Sequence, residues 1–427
     1  GMDHDKFPDV MPTRWDIDTV SPDNPVWILH VSGHLALVNT AALRQAGIED
    51  DVEDPPSGRF VRDAAGRPTG MIFDSAQKMV MRSTVDVGTH GPSTGIYDAP
   101  VEEIITQIEA SYRAFVRSGI TTAVDAQVTG RELRAYIEAR RQGRLLLRTT
   151  CMMLSNHLPE FERLGLAGPL GDDRLALGPM KFYTDGSLPG STAAFEEAYE
   201  HEEGFHGVAY WSHQELAGMV VRAHRLGLQV GIHAQGDRGI ENALNAIQSA
   251  LDAEPRPDHR HRIEHFGVPT PGQVRRAAAM GVIPVMNPRF VYETGDTFWA
   301  NLGPERARRV YPAGSFLALG GRLAIGSDSP VVSFEPLHQL WSAMTRVTLA
   351  GHEMNPDDRL TAVQSLRAQT IDAAYAIRQE HTRGSIEPGK LADFALIDGP
   401  VLDASADEIR QREVEMTVIG GMVVHRL

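Results

Sequence analysis

Four short segments carry side chains able to bind a metal ion or move a proton. They are KFYTDGS, with Lys181 and Asp185; GIHAQGD, with His233 and Asp237; RIEH, with Glu264 and His265; and GSDSP, with Asp328. Each is weak alone. A strand-end histidine is more often a hydrogen-bonded core residue than a ligand, and a strand lysine more often makes an ion pair. Asp185 before Gly186 fits a turn as well as a site. Asp237 fits the cap of a following helix, whose first amides need an acceptor. His259 and His261 form an H-x-H that looks like a metal motif, but it precedes its strand and is expected on the surface at the far end from the others. His30 and His34 are four apart, yet Gly33 and a β-like run argue against one helical face. His201, His206 and His213 read as solvated. What stands out is the conjunction of Lys, His, His and Asp at successive strand ends.

Those ends belong to an alternating pattern. From about residue 100, short β-rich runs at Thr121–Ala126, Leu147–Leu154, Met180–Asp185, Gln229–Ala234, Arg262–Phe266, Val282–Met286 and Leu323–Ser327 are interleaved with amphipathic stretches. The helical ones include Pro100–Val116, Glu132–Arg140 and Ile240–Leu251, plus one opened by Ser212 with Glu215 three residues on, a capping box. Strands separated by helices predict βαβ units and a parallel sheet, that is, an α/β fold of TIM (β/α)8 type. Seven strands are legible, and closure needs eight. The active site of such a barrel lies at the C-terminal strand ends, where Lys181, His233, His265 and Asp328 fall. Residues 1–95, rich in Asp, Pro and Gly, do not read as a βα unit, with a helix at Thr40–Ala46 and an apolar run at Val26–Val31; the resemblance given below implies that they cover the pocket. Residues 96–380 read as the barrel. Residues 381–427 read as a small β appendage, which the resemblance given below implies is a partial β-sandwich: a helix from Thr361 through Ile377 leads to a strand at Leu391–Ile397 and a Gly-Gly hairpin joining Met416–Ile419 to Met422–His425.

Composition excludes several classes. The 427 residues carry 41 basic and 56 acidic side chains, a formal net charge of −15. Nucleic acid and anionic membrane surfaces select clustered Lys and Arg, so neither is expected as a partner. With 42% hydrophobic residues the chain is too apolar for disorder. Its single cysteine, Cys151, precludes an internal disulfide and suits a reducing, cytoplasmic setting.

The ordered motifs resemble the amidohydrolase superfamily of metal-dependent hydrolases, in particular the family 3 branch of N-substituted formamide deformylase-like enzymes. The resemblance runs through PTRWDIDTVSPDNPV at Pro12–Val26, SGHLALVNTAAL at Ser32–Leu43, KFYTDGSLPG, GIHAQGDRGI, HRIEH, GSDSPV and GSIEPGKLADFALID at Gly384–Asp398. It implies that Lys181, carboxylated in many members, joins His233 and His265 as ligands of a divalent ion, Zn²⁺ by preference. It makes Asp328 the acid–base that passes a proton from water to the leaving nitrogen. It places His34 over the pocket as a substrate contact, with Asp185 and Asp237 as further substrate-binding candidates. The implied reaction is hydrolysis of a C–N bond in a small amide or N-formyl molecule.

Members of the family begin with β-sandwich strands and a first barrel strand ending in His-x-His. Neither is legible here, so the expectation is a chain lacking that N-terminal segment, with a metal site of one ion, two, or a depleted one. Pro25–Val31 is a candidate to fill the missing strand, which would bring His30 toward the site. Substrate choice is expected in loops such as Leu188–Phe205 and Asn287–Asn301. Two alternatives stand: an inactive barrel fragment acting as a binding or homo-oligomer scaffold, and ester, lactone or deaminase chemistry on the same ligands.

Overall fold

The computed structural model describes residues 2, 7, 11–81, 99–168, 170–200 and 202–427. His201 and the segment 82–98 therefore lie outside the described residues. Among the described residues sixteen strands appear in chain order. An N-terminal antiparallel sheet holds β1 (Trp27–Leu29), β2 (Leu35–Val38), β3 (Gly58–Arg62) and β4 (Pro68–Asp74), in the order β1-β2-β4-β3. Next come β5 (Thr122–Val128), β6 (Arg148–Met153), the two-residue β7 (Leu170–Gly171), β8 (Leu175–Leu177), β9 (Met180–Tyr183), β10 (Val230–Ala234), β11 (Arg262–His265), β12 (Ile283–Met286) and β13 (Ala324–Ile325). The last three, β14 (Phe394–Ile397), β15 (Val414–Ile419) and β16 (Met422–Arg426), form an antiparallel sheet.

The central strands run parallel, as the alternating pattern predicts. β5 pairs with β6 and β6 with β8, while β9 through β13 pair in succession. β8 and β9 are two halves of one course alongside β6, because a parallel bridge from Leu154 to Lys181 continues the pairing past Gly178. Seven parallel positions result, with β5 and β13 at the ends. Among the described residues no pairing joins those ends, so the α/β order is as expected but a closed barrel is not formed by strand pairing. β6 and β9 to β11 are buried on both faces, and their residues pack with the helix stripes in one large cluster that includes Ile105, Phe182, Ile232, Ile247 and Ile263.

Several expectations need correction. Pro25–Val31 does not enter the parallel sheet. Trp27–Leu29 instead pairs antiparallel with Val38–Ala36, because Trp27 and Leu29 pack against the cluster of Leu43, Phe60 and Ile72. His30 stays there, bonded to Ser32. Asn287–Asn301 is not a loop: Pro288 starts a helix running to Ala307, whose glycines and Pro304 hide its periodicity in the sequence. The helix expected from Thr361 through Ile377 breaks at Thr370, where φ −120° and ψ −94° leave the helical region. The C-terminal sheet is held to the parallel strands by a buried bidentate pair, Arg148 to Asp393, at 2.6 and 3.0 Å.

His259 and His261 are buried, not on the surface, and sit with His224 at the end of the sheet opposite the candidate residues. Their hydrogen bonds dictate protonation. His261 Nδ1 accepts from the Val230 amide at 3.1 Å, so its proton is on Nε2, which donates to His224 Nδ1 at 2.8 Å. His224 Nε2 in turn donates to the Glu254 carbonyl at 2.8 Å. His259 accepts from the His261 amide and donates to the Met280 carbonyl, both at 2.8 Å. Every ring nitrogen is satisfied only while all three rings are neutral. Burial accordingly holds all three below the ordinary histidine range, His261 well below it.

The sign of the resulting pH dependence is fixed. The unfolded chain takes up protons near its ordinary pKa of 6.5 while these folded rings do not. The contribution of these three rings to stability is therefore complete above that pH and lost progressively below it. The melting temperature is expected to be level from about pH 8 to about 6.5 and to fall toward about pH 5. The fall is expected to be shallower in His261→Gln. An equally steep fall in that variant would show that the three-histidine chain is not responsible.

Candidate active site

At the C-terminal ends of the parallel strands a cavity of about 300 Å³ opens, lined among others by His34, Asp125, Lys181, Tyr183, His233, Gln235, His265, Phe290 and Asp328. That volume suits a small molecule. Five of the residues singled out in the sequence meet here: Lys181, His233, His265, Asp328 and His34. Asp185 and Asp237 are not among the lining residues.

Strand geometry explains the convergence. Lys181 and Tyr183 are two apart on β9 and share a face, with the lysine Nζ 4.6 Å from the tyrosine ring centroid. Among the described residues no carboxylate lies within ion-pair distance of Lys181, although it is buried. Burial pushes its amine below the ordinary lysine range, while the carboxylates of Glu264, Asp328 and Asp125 pull the other way. Glu264 is engaged by Arg262 in a bidentate pair at 2.7 and 2.9 Å.

The histidines form a row, with ring centroids 5.4 Å apart for His34 and His233 and 4.7 Å for His233 and His265. Their tautomers follow from their partners. Asn287 donates its amide to the Gly326 carbonyl at 2.8 Å, so its oxygen faces His265 and accepts Nδ1–H at 2.7 Å. His233 Nε2 donates to the Gly186 carbonyl at 2.9 Å. Each ring thus keeps its second nitrogen as an acceptor. Burial holds His233 well below the ordinary histidine range and His265 below it. His265 and Asp328 have φ of 71° and 60°, the left-handed region that costs a non-glycine residue on the order of 1 kcal/mol or more. The backbone turns sharply at both strand ends to aim these side chains.

Among the described residues no three His, Cys, Asp or Glu side chains stand close enough together to hold an ion as they are placed. The donor chemistry nonetheless fits one. Two neutral imidazoles with an acceptor nitrogen each, an unpaired buried amine and the carboxylate of Asp328 face one cavity.

Asp185 and Asp237 do other work. The Asp185 carboxylate accepts from the amides of Ala194, Gln235 and Gly236 at 2.9, 3.0 and 2.8 Å. It ties the loop after β9 to the start of the helix Asp237–Ala253. A side chain at Gly239 would strike that carboxylate, which is why the GDRG turn carries glycine there. Asp237 opens the same helix and accepts from the Glu196 amide at 2.9 Å. Of the other histidines, His206 is half-buried and His213 is exposed, and neither lines the cavity.

Sequence reasoning missed Asp125, whose carboxylate receives the Tyr136 hydroxyl at 2.7 Å and lines the cavity. Its signal was present, since TTAVDA ends a strand in an acid as GSD does. It also missed Asp74 and Tyr210, which hold His34. His34 Nδ1 lies 2.8 Å from Asp74 Oδ1 and 3.0 Å from the Tyr210 hydroxyl, which also donates to Asp74. No local motif marks either residue.

The chain matches the amidohydrolase family over residues 5–425, and it belongs to that family. It is 28% identical to the N-substituted formamide deformylase of Arthrobacter pascens over 96% of this chain and 75% of that protein. It is 30% identical to the Bacillus subtilis protein YtcJ, described as a putative amidohydrolase, over 100% of this chain and 79% of that protein. In structure it is similar to an uncharacterized metal-dependent hydrolase from Pyrococcus horikoshii, with a TM-score of 0.73, 23% identity, and coverage of 95% of this chain and 77% of the other.

Two substitutions separate support from contact. Asp185→Ala leaves three buried amides unpaired and is expected to lower unfolding free energy by about 3 kcal/mol or more. Asp237→Ala loses one hydrogen bond from the Glu196 amide and is expected to cost about 1 kcal/mol. Denaturant titration checks both. A fully stable Asp185→Ala protein would contradict the supporting role.

Proposed function

We propose that this protein hydrolyses a C–N bond of a small amide or N-formyl compound at the cavity above β9 to β13, with a divalent ion held by Lys181, His233 and His265. The observation that carries the reading is the meeting of Lys181, His233, His265 and Asp328 around one cavity of small-molecule size. The family match and the formamide deformylase relative support the C–N assignment.

Zn²⁺ suits the two imidazoles, and when bound it would lower the pKa of water toward about 7 and polarise a carbonyl. Lys181 becomes a ligand by adding CO₂ to its amine with loss of a proton, giving a carbamate. Burial lowers its affinity for a proton, which favours that addition, and among the described residues no carboxylate lies within ion-pair distance to compete for it. His265 is held for coordination by Asn287, and His233 by the Gly186 carbonyl, each with its spare proton tied off. Asp328, exposed at the mouth of the cavity, accepts the proton of the attacking water on its carboxylate and delivers it to the departing nitrogen. Phe290 and Tyr183 supply apolar walls that orient the substrate and exclude bulk water.

The test begins with metal content. Purified protein is expected to bind zinc, and Lys181→Ala to bind less. Asp328→Asn is expected to keep its metal and lose about 10²- to 10⁴-fold in kcat on a panel of small formamides and amides. Chelation should abolish turnover and added Zn²⁺ restore it. Protein that takes up no metal, with Lys181→Ala indistinguishable from it, would overturn the reading.

A further inference from the structure

His34 reaches the cavity from outside the parallel sheet. It sits in the turn between β1 and β2, with its backbone carbonyl accepting the Asp74 amide at 2.7 Å. The two residues are therefore locked together by main chain as well as side chain. Asp74 is fully buried and adopts a φ of 45° that only strong local constraint maintains in a non-glycine residue. Tyr210, buried in the loop after β9, donates to the same carboxylate oxygen and is itself anchored by its amide to the Thr184 carbonyl at 2.9 Å. Three segments distant in sequence thus converge on one imidazole nitrogen.

The chemistry of that convergence fixes the ring. A carboxylate can only accept, so His34 Nδ1 carries the proton and gives it to Asp74. Neither Asp74 nor Tyr210 lines the cavity, whereas His34 does. Because Nδ1 is turned to these two residues outside the lining, the ring edge left to the cavity is the one bearing Nε2. Among the described residues Nε2 has no hydrogen-bond partner. A neutral imidazole in this tautomer presents a lone pair there and no proton, so it can receive a hydrogen bond from a bound molecule but cannot give one.

Resting on the proposed hydrolase reading, we infer that His34 Nε2 accepts the N–H of the substrate, so that the substrate is an amide or formamide bearing a proton on the scissile nitrogen, with Asp74 and Tyr210 as positioning residues. An N,N-dialkyl amide or an ester offers no such proton and would leave His34 Nε2 facing the bound molecule without a donor, where an unmet polar group is costly. The Asp–His–Tyr arrangement thereby selects among carbonyl compounds that the metal and Asp328 alone would treat alike.

Two measurements on the zinc-loaded full chain test this. In protein labelled with ¹⁵N-histidine, with His34 assigned by its disappearance in His34→Ala, His34 is expected to show a protonated Nδ1 and an unprotonated Nε2. Asp74→Ala should convert it to a mixture of tautomers. Adding N-butylformamide should move the Nε2 resonance, and N-butyl-N-methylformamide should not. In turnover, wild type is expected to favour the first compound over the second by about 10- to 100-fold in kcat/KM. That ratio should fall to within about threefold in His34→Ala and in Asp74→Ala, each checked for native melting. A His34 protonated on Nε2, a ligand shift indifferent to N-methylation, or an unchanged ratio in His34→Ala would overturn the inference. Absence of turnover on either compound would count against the hydrolase reading alone, because the tautomer and ligand-shift measurements still decide the role of His34.

Discussion

The Asp185 carboxylate is the interaction on which the site depends. One buried side chain gathers the amides of Ala194, Gln235 and Gly236 and so joins the loop after β9 to the turn after β10. Through that loop it places Ser187 and Pro189 in the cavity wall and Tyr210 against Asp74. Its nearest oxygen lies 3.6 Å from His233 Nε2. Removing it would disturb the orientation of His233 on one side and of His34 on the other, although it does not line the cavity.

A second constraint runs through the histidines. Each ring at the cavity gives one N–H to a fixed oxygen: Asn287 for His265, Gly186 for His233 and Asp74 for His34. Fixing one nitrogen decides what the other can do, and this is how a protein prepares neutral imidazole for coordination or for hydrogen-bond acceptance at neutral pH. At the opposite end of the strands, His224, His259 and His261 spend both nitrogens on one another and on backbone groups. The same residue type is thus structural at one end and chemical at the other, according to whether a nitrogen is left over.

The sequence made the parallel strands legible because βα alternation places apolar runs and amphipathic stripes at regular spacing, and Lys181, His233, His265 and Asp328 sit in polar strand-end motifs. The N-terminal antiparallel sheet was not legible beyond its first apolar run, since Arg, Thr and Gly interrupt the apolar pattern of β3 and β4. Asp185 and Asp237 carried a motif signal that belongs to loop anchoring, because a carboxylate that caps backbone amides looks the same in one dimension as one that meets a ligand. His259 and His261 were misplaced for a related reason: the chain of acceptors that permits their burial comes from His224, Val230, Glu254 and Met280, dispersed in the sequence. Asp74 and Tyr210 are 136 positions apart, and only the folded chain brings them to His34.

On the proposed function, the strand ends above β9 to β13 form one cation-dependent site. A crystal structure of the zinc-loaded protein, with data collected at the zinc absorption edge, tests it most directly. The account predicts an anomalous peak in the cavity between Lys181, His233 and His265, at about 2.0–2.1 Å from an imidazole nitrogen of each histidine. Zinc bound only at His224, His259 and His261, or no peak in the cavity of fully loaded protein, would contradict it.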